Sequence, residues 1–308
     1  MAVPAVALVG LGRWGFNHAR TIRETGTLRL AAVCDLDRAK REAVDVPGAA
    51  SLERLLELPG LDAAIIATPN PTHYELTRRC LEAGLDVLAE KPLALDSRSA
   101  LALVTLAEER GRLLATTFPA LYLPGYDRCR DAVDSGTLGA VVSASSTRTS
   151  SGCLDPDADV LWDLAPHDIA IAASLFGSPR TTRLERSDGR AVFELGFPAG
   201  FALSGTVAWR DTAVERCFSV SGTRGRARIT EQHGAAPADR PLARLLADFA
   251  AAVRTRKQPR CSARLGLEVV RCLESLETLD RVSAPVPARH SVPDTRHSLL
   301  TTRNPSLP

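Results

Sequence analysis

The sequence predicts an α/β protein in which an N-terminal Rossmann domain, a doubly wound parallel sheet, precedes a C-terminal α+β domain with a large, mainly antiparallel open sheet. In the first third of the 308-residue chain, short apolar runs alternate with helical stretches, which is the rhythm of βαβ units. A glycine-rich turn directly follows the first apolar run. After residue 180, strand-like runs follow one another without helices between them, which indicates antiparallel pairing.

The predicted strands of the N-terminal domain, residues 1–118, are short, apolar and rich in β-branched residues, as strands buried on both faces of a parallel sheet should be. They span residues 5–9, 28–34, 63–67, 87–89 and 112–116. Helices are expected at residues 16–25, from 37 onward, at 51–56, at 72–83 and at 97–111. Asp96 is the expected N-cap of the last of these helices.

The C-terminal domain, residues 119–282, begins with an irregular crossing and continues with a different pattern. Strands are predicted at 141–149, 181–186, 191–197, 201–209, 216–221 and 226–230, and helices at 125–135, 162–176, 241–254 and 263–279. An open sheet of this kind usually needs a cover, so we expect a homodimer or homotetramer formed through it. Residues 283–308 are rich in Pro, Ser and Thr and are expected to form an extended or disordered tail.

Composition excludes several classes of partner. The formal net charge of +2 gives no reason to expect nucleic acid or an anionic membrane. The seven cysteines are widely spaced without a Cys-x-x-Cys pair, which disfavours a disulfide framework or a zinc site and fits a reducing cytoplasm. No apolar run reaches membrane-spanning length, and the apolar N-terminus leads straight into the glycine turn, so it is interpreted as a strand and not as a signal peptide.

The glycine turn has the spacing and the context of a dinucleotide-binding turn. Gly10 would allow the tight turn, Gly12 would let the backbone approach a pyrophosphate, and Gly15 would let the helix pack close to the sheet. Asp35 ends the second strand and can accept hydrogen bonds from ribose hydroxyls, while its charge would repel a 2′-phosphate. NAD is therefore favoured over NADP, although Arg38 keeps NADP open. The cofactor candidates at this turn are Gly10, Gly12, Arg13, Trp14, Gly15 and Asp35.

Lys91 is the most unusual residue of the chain. Only 3 of the 38 basic residues are lysines, and a lysine retained among so many arginines suggests a need for a shiftable ammonium. Lys91 follows a predicted strand, where α/β sheets place their ligands, within Glu90-Lys91-Pro92. A solvated loop lysine is the alternative interpretation.

A second turn, Thr68-Pro69-Asn70, follows the strand predicted at 63–67 and so lies on the same edge of the sheet. It could contact the ribose on the nicotinamide side, or it could simply start the next helix. His73, just beyond it, is expected to be a cap or a surface residue and not a catalyst. The cofactor-side candidates at this edge are Thr68, Pro69, Asn70, His73, Glu90 and Lys91.

Asp163 and His167 stand four residues apart, so on a helix they face the same way. A carboxylate beside an imidazole would fix its tautomer and support it as a proton acceptor. Pro166 belongs in a first helical turn, which would place His167 near a helix N-terminus whose dipole lowers the pKa of imidazole. The alternative is an Asp N-cap beside a structural histidine.

These motifs, in this order, resemble the glucose–fructose oxidoreductase / inositol dehydrogenase / rhizopine catabolism superfamily (Gfo/Idh/MocA). The resemblance covers nearly everything from residue 6 to about residue 281, and residues 161–169 are most similar to the branch that acts on nucleotide-linked or amino sugars. It implies that Lys91 hydrogen-bonds the reacting oxygen, that His167 is the general base or acid, and that Asp163 orients His167 or binds a substrate hydroxyl. It also implies a cis Lys91–Pro92 bond.

The sequence is thus interpreted as that of an NAD-dependent dehydrogenase or ketoreductase, with a secondary alcohol or ketone of a sugar or cyclitol as substrate. Tyr122, Arg148 and Trp162 are the candidates to line the substrate pocket, and no metal is expected. Three alternatives stay open: a glycosidase that uses bound NAD transiently, an imine or keto reductase of a biosynthetic pathway, and a non-catalytic NAD-binding regulator.

Overall fold

A parallel six-stranded sheet forms the first half of the molecule, as predicted. The computed structural model describes residues 2–151, 159–209, 214–231 and 236–283; the predicted tail lies outside them after residue 283. The strand order is β3-β2-β1-β4-β5-β6, with β1 at Ala5–Val9, β2 at Arg29–Cys34, β3 at Gly48–Ala49, β4 at Ala63–Ile66, β5 at Asp86–Ala89 and β6 at Leu114–Thr116. The edge strand β3 was not predicted, because two residues produce no recognisable apolar run.

Side chains cap the N-termini of three of the described helices of this domain. The helices are α1 (Arg13–Thr25), α2 (Arg38–Glu42), α3 (Leu52–Leu56), α4 (His73–Glu82) and α5 (Ser97–Glu109). The Asp37 carboxylate accepts from the second and third backbone amides of α2, and Ser51 accepts a hydrogen bond from Arg54 in α3. Asp96 caps α5 through the amide of Ser99, which confirms the predicted N-cap. Gly26 ends α1 in the left-handed conformation that glycine tolerates best.

A second six-stranded sheet follows in the order β12-β11-β7-β10-β9-β8. Its strands are β7 (Val141–Ser150), β8 (Thr181–Ser187), β9 (Arg190–Gly196), β10 (Ala202–Trp209), β11 (Arg216–Gly222) and β12 (Arg226–Thr230). The β7–β10 pair is parallel and every other neighbouring pair is antiparallel, so the predicted mainly antiparallel sheet is confirmed. The helices are α6 (Pro124–Asp134), α7 (Val160–Phe176), α8 (Pro241–Thr255) and α9 (Ala263–Ser283).

The two faces of this second sheet differ in character. Buried residues such as Phe193, Leu203 and Phe218 alternate along the strands and join a hydrophobic core shared with α7. The opposite face of the middle strands carries exposed Ser143, Ser145 and Ser204. Assembly of copies through this outer face stays a prediction.

Helix α9 connects the two halves of the molecule. It packs against α5 and β6 on one side and against α7 and β8 on the other. A Cβ at Gly266 would lie 2.3 Å from the Thr116 Oγ1 atom, so the helix approaches β6 as closely as a glycine permits. The chain just before α9 also binds β6, since the Thr116 amide donates to the Cys261 carbonyl over 2.8 Å. The domain boundary at residue 118 stays a prediction, and α9 contacts strands of both sheets. Within the described ranges, no helix is both long and apolar enough to span a bilayer.

Candidate functional site

Three turns meet at the carboxyl edge of the first sheet, where β1, β4 and β5 end side by side. Parallel register places Val9 beside Ile66, and Ile66 beside Ala89. Gly10 follows β1 with a φ of 93°, and a Cβ there would lie 2.5 Å from the Ala67 carbonyl oxygen. Both the backbone conformation and the contact therefore require glycine at position 10.

The turn from Gly10 to Gly15 opens toward solvent above the start of α1. A Cβ at Gly12 would meet no atom within 4 Å, and Gly12 gives α1 no side-chain cap. A Cβ at Gly15 would instead lie 2.0 Å from the Gly10 carbonyl oxygen, so Gly15 lets the helix press against its own turn. Arg13 and Trp14 lie exposed between them. The first amides of α1 therefore face open space, the arrangement that binds phosphate groups in other proteins.

Asp35 is held at the rim of this opening by backbone amides. Its Oδ2 atom accepts from the Leu11 amide over 2.6 Å, and its Oδ1 atom accepts from the Asp37 amide over 2.8 Å. The carboxylate is thus fixed at the end of β2, beside the glycine turn. Arg38 pairs with Glu42 on the exposed side of α2, at 2.7 Å.

His73 is not the surface residue expected from the sequence. It is fully buried at the start of α4, and both ring nitrogens lie against backbone carbonyls: Nδ1 is 2.7 Å from the Pro92 oxygen and Nε2 is 2.9 Å from the Thr68 oxygen. Neither nitrogen points to solvent, so the geometry gives His73 no direct contact with a cofactor. The turn Thr68-Pro69-Asn70 remains at least partly exposed at the sheet edge.

Lys91 joins the first sheet to α7. The Lys91–Pro92 peptide bond is cis, in agreement with the expectation from the resemblance. The ammonium donates to the Asp163 carbonyl oxygen over 2.6 Å and to the Asp163 Oδ1 atom over 2.9 Å. Trp209, at the end of β10, donates from its indole nitrogen to the Asp163 Oδ2 atom over 3.2 Å. The Lys91 side chain is 11% exposed, so it is largely enclosed while keeping one accessible face.

Helix α7 begins earlier than predicted, which changes the setting of His167. Asp159 is the N-cap and accepts from the amides of Leu161 and Trp162. Pro166 consequently lies inside the helix, where it cannot donate a hydrogen bond to the turn before it. The placement of Pro166 and His167 in a first turn was therefore wrong. The helix dipole consequently has little part in setting the pKa of His167.

Asp163 contacts Lys91 and Trp209 through its carboxylate, and His167 does not share that contact. Among the described residues, the His167 Nδ1 atom is buried without a hydrogen-bond partner. The pKa of His167 lies well below its ordinary value of 6.5, first because burial disfavours the imidazolium and then because the cations of Arg148, Lys91 and Arg216 oppose it. His167 is thus a neutral imidazole at neutral pH, packed edge-on against Phe118 with ring centroids 6.4 Å apart.

The three residues predicted to line the substrate pocket are each engaged within the protein. Arg148 forms a buried ion pair with Asp168, with the shortest N–O distance at 2.8 Å. The Tyr122 hydroxyl donates to Asp248 over 2.6 Å, and the Trp162 indole donates to Glu277 over 3.0 Å. Contacts from these residues to a substrate stay predictions.

Sequence reasoning missed two residues that the structure brings to this site, Trp209 and His18. His18, on α1, lies 2.8 Å from a carboxylate oxygen of Glu90 through its Nε2 atom. Its position one helical turn beyond Gly15 was an available signal, whereas the Trp209 contact depends on how two distant elements pack.

Within the described ranges, no group of three or more His, Cys, Asp or Glu residues could hold a metal ion.

Comparison with known proteins agrees with this geometry. The model of the GFO_IDH_MocA oxidoreductase family, described as an NAD-binding Rossmann fold, matches residues 5–118. The inositol 2-dehydrogenase 2 of Saccharopolyspora erythraea is 31% identical over 201 residues, which cover 59% of each chain. The dTDP-3,4-didehydro-2,6-dideoxy-α-D-glucose 3-reductase of Streptomyces violaceoruber is 36% identical over 154 residues, covering 46% of this chain and 45% of the reductase.

The similarity of fold extends over both sheets. The crystal structure of GenD2 from gentamicin A biosynthesis, in complex with NAD, superposes with a TM-score of 0.82 at 21% identity, covering 90% of this chain and 94% of GenD2. The alignments to the first curated relatives span 51% to 59% of those relatives' length. Residues 5–118 are thus similar to the NAD-binding Rossmann domain of the GFO_IDH_MocA oxidoreductase family, and the arrangement of the two sheets is similar to that of GenD2.

Proposed function

We propose that this protein is an NAD-dependent oxidoreductase that interconverts a secondary alcohol and a ketone on a cyclitol or a sugar, including nucleotide-linked sugars. The observation that carries the proposal is the placement of Lys91. Its ammonium stands at the sheet edge that holds the glycine turn, and it is close enough to His167 to help lower the pKa of that imidazole. A cation and a neutral base beside a nucleotide-binding turn suit proton transfer to and from a hydroxyl group.

The residues present fit a dinucleotide. Open space above Gly12 admits a pyrophosphate to the first amides of α1, and the fixed Asp35 carboxylate suits ribose hydroxyls while opposing a 2′-phosphate. Arg13 and Trp14 would border the bound cofactor, and Thr68, Pro69 and Asn70 would face its nicotinamide half. When bound, NAD supplies the hydride acceptor, a chemistry that belongs to the cofactor. The preference for NAD over NADP rests on Asp35.

Lys91 has one donor left for a substrate. An ammonium carries three N–H donors, and among the described residues Lys91 gives two of them to Asp163. The third can donate to the oxygen of the reacting alcohol or ketone and stabilise negative charge that develops on it. Asp163 thus acts through Lys91, by aiming the ammonium.

His167 is suited to accept the hydroxyl proton in oxidation. A neutral imidazole offers a lone pair, and the lowered pKa keeps that form populated over the physiological range. In the reductive direction the protonated ring would return the proton to the carbonyl oxygen. Lys91 and His167 would then share the proton handling, one by charge and the other by transfer.

The substrate class follows from the reaction and from the relatives. The two curated relatives described above are named for a cyclitol alcohol and for a ketone of a dTDP-linked deoxysugar. Both groups are secondary positions on a six-membered ring. We therefore place the substrate among ring alcohols and ring ketones of cyclitols and sugars.

The two glycines of the cofactor turn should respond differently to an added methyl group. Gly12→Ala should fold normally, because its Cβ meets open space, yet NAD affinity should fall at least about tenfold, because that Cβ lies where the pyrophosphate approaches. Gly15→Ala should lose about 1–3 kcal/mol of stability through overlap with Gly10. Calorimetric titration with NAD and thermal unfolding measure both effects, and unchanged NAD affinity in Gly12→Ala would contradict the cofactor assignment.

Replacing Lys91 by Met should lower turnover by about 10²–10⁴-fold and leave NAD affinity nearly intact, because only the positioned cation is removed. Turnover is followed by absorbance of the reduced nicotinamide with a panel of cyclitols, free sugars and nucleotide sugars. Lys257→Met, at an exposed position, is the matched control and should behave as wild type. Normal turnover in Lys91→Met would remove Lys91 from the mechanism.

The lowered pKa of His167 fixes the direction of the pH dependence. Oxidation requires the neutral ring, so kcat/KM for alcohol oxidation should stay high as the pH falls through 6.5 and decline only below it. His167→Gln should lose this acid limb together with most of the activity. An acid limb centred at or above pH 6.5 in the wild type would show that a different group is the base.

A further inference from the structure

Two buried histidines contact the residues directly before and after Lys91 in the sequence. We propose that His18 and His73 are positioning residues for Lys91: His18 holds Glu90, the residue before it, and His73 holds Pro92, the residue after it. The inference rests on the proposed role of Lys91 and adds to it the means by which the ammonium is placed. Both histidines are completely buried, so neither serves as a surface group.

His73 makes its two contacts in opposite directions. Its Nδ1 atom is 2.7 Å from the Pro92 carbonyl oxygen, after β5, and its Nε2 atom is 2.9 Å from the Thr68 carbonyl oxygen, after β4. A carbonyl oxygen only accepts, and both ring nitrogens stand within hydrogen-bond distance of one. The ring therefore ties the turn that carries Lys91 to the turn proposed to face the nicotinamide.

His18 makes the contact on the other side. Its Nε2 atom donates to the Glu90 Oε1 atom over 2.8 Å, and the Glu90 side chain is only 8% exposed. Among the described residues the Nδ1 atom of His18 is buried without a hydrogen-bond partner. The contact to Glu90 is therefore the hydrogen bond that orients the His18 ring. His18 lies on α1, whose first amides are proposed to receive the pyrophosphate of the cofactor. Glu90 is thereby linked to the same helix that would hold the pyrophosphate.

The consequence follows from the length of the lysine side chain. Four methylene groups give Lys91 many rotamers, so the place of its ammonium depends on where its backbone is held. The Glu90 amide donates to the Ile66 carbonyl over 2.9 Å, which fixes the backbone before Lys91, and the two histidines fix the groups on either side. A displacement of about 1 Å at a reacting group costs on the order of 10²-fold in rate.

Amide variants can remove one contact at a time. In His73→Asn the amide reproduces the Nδ1 position and keeps the donor to Pro92, whereas in His73→Gln it reproduces the Nε2 position and keeps the donor to Thr68. If His73 positions Lys91 through Pro92, kcat should fall by roughly 10²-fold in His73→Gln and only a few-fold in His73→Asn. For His18 the order reverses, because His18→Gln keeps the donor to Glu90 and His18→Asn is too short to reach it.

Lysine NMR provides a readout that needs no turnover. With 13Cε-labelled lysine the protein gives only three lysine signals, from Lys40, Lys91 and Lys257. The signal that is lost in Lys91→Met is that of Lys91. In the resting protein, the Lys91 signal should move in His73→Gln and His18→Asn and stay in place in His73→Asn and His18→Gln, while the signals of Lys40 and Lys257 do not move in any of them.

The outcomes separate this proposal from the proposed function. A Lys91 signal that stays in place in all four variants, or that moves equally in His73→Asn and His73→Gln, overturns the positioning role. A wild-type protein that turns over no alcohol in the panel counts against the proposed function, whereas the NMR comparison still decides whether the histidines place Lys91. Unchanged KM beside a reduced kcat in His73→Gln supports positioning over a general loss of structure.

Discussion

The contact between Lys91 and Asp163 is the interaction on which the site depends. It joins the end of a parallel strand in the first sheet to a helix that packs on the second, across 72 residues of sequence. The Asp163 side chain is 37% exposed, so the pair adds little to the free energy of unfolding. Its value lies in position, because Asp163 fixes the ammonium where its charge acts on His167 and, among the described residues, takes only two of its three donors. Trp209 completes the arrangement by occupying the second carboxylate oxygen.

Charge around His167 is arranged in pairs. Lys91 is matched by Asp163, Arg148 by Asp168 and Arg216 by Glu231. Burial and the three cations together hold the imidazole neutral. A neutral ring near a fixed ammonium can take a proton from an alcohol, and the same field would favour negative charge on the oxygen left behind. Burial and nearby charged side chains thus set the protonation state of His167, whose Nδ1 atom has no hydrogen-bond partner among the described residues.

The elements and the glycine turn could be predicted because their signals are local. Apolar runs mark the strands. The spacing of Gly10, Gly12 and Gly15, with Asp35 downstream, predicts a tight turn that needs glycine. The structure shows the reason at Gly10 and Gly15, where neighbouring backbone atoms leave no room for a Cβ. The partners of side chains could not be predicted in the same way. Asp163 and His167 share a helix face by spacing, yet Asp163 binds Lys91, because tertiary packing brings the ammonium nearer. The burial of His73 and the continuation of α7 through Pro166 likewise depend on neighbours distant in the sequence.

The most direct test of this account is a double-mutant cycle between Lys91 and Asp163, read in kcat for alcohol oxidation. If Asp163 works by placing the ammonium, Asp163→Ala should lower kcat strongly in the wild-type background and by less than about twofold in the Lys91→Met background. Thermal unfolding of the four proteins confirms that each is folded during the assay. If the two losses multiply instead, Asp163 acts independently of Lys91, for example on His167, and the Lys91–Asp163 contact is not what organises the site.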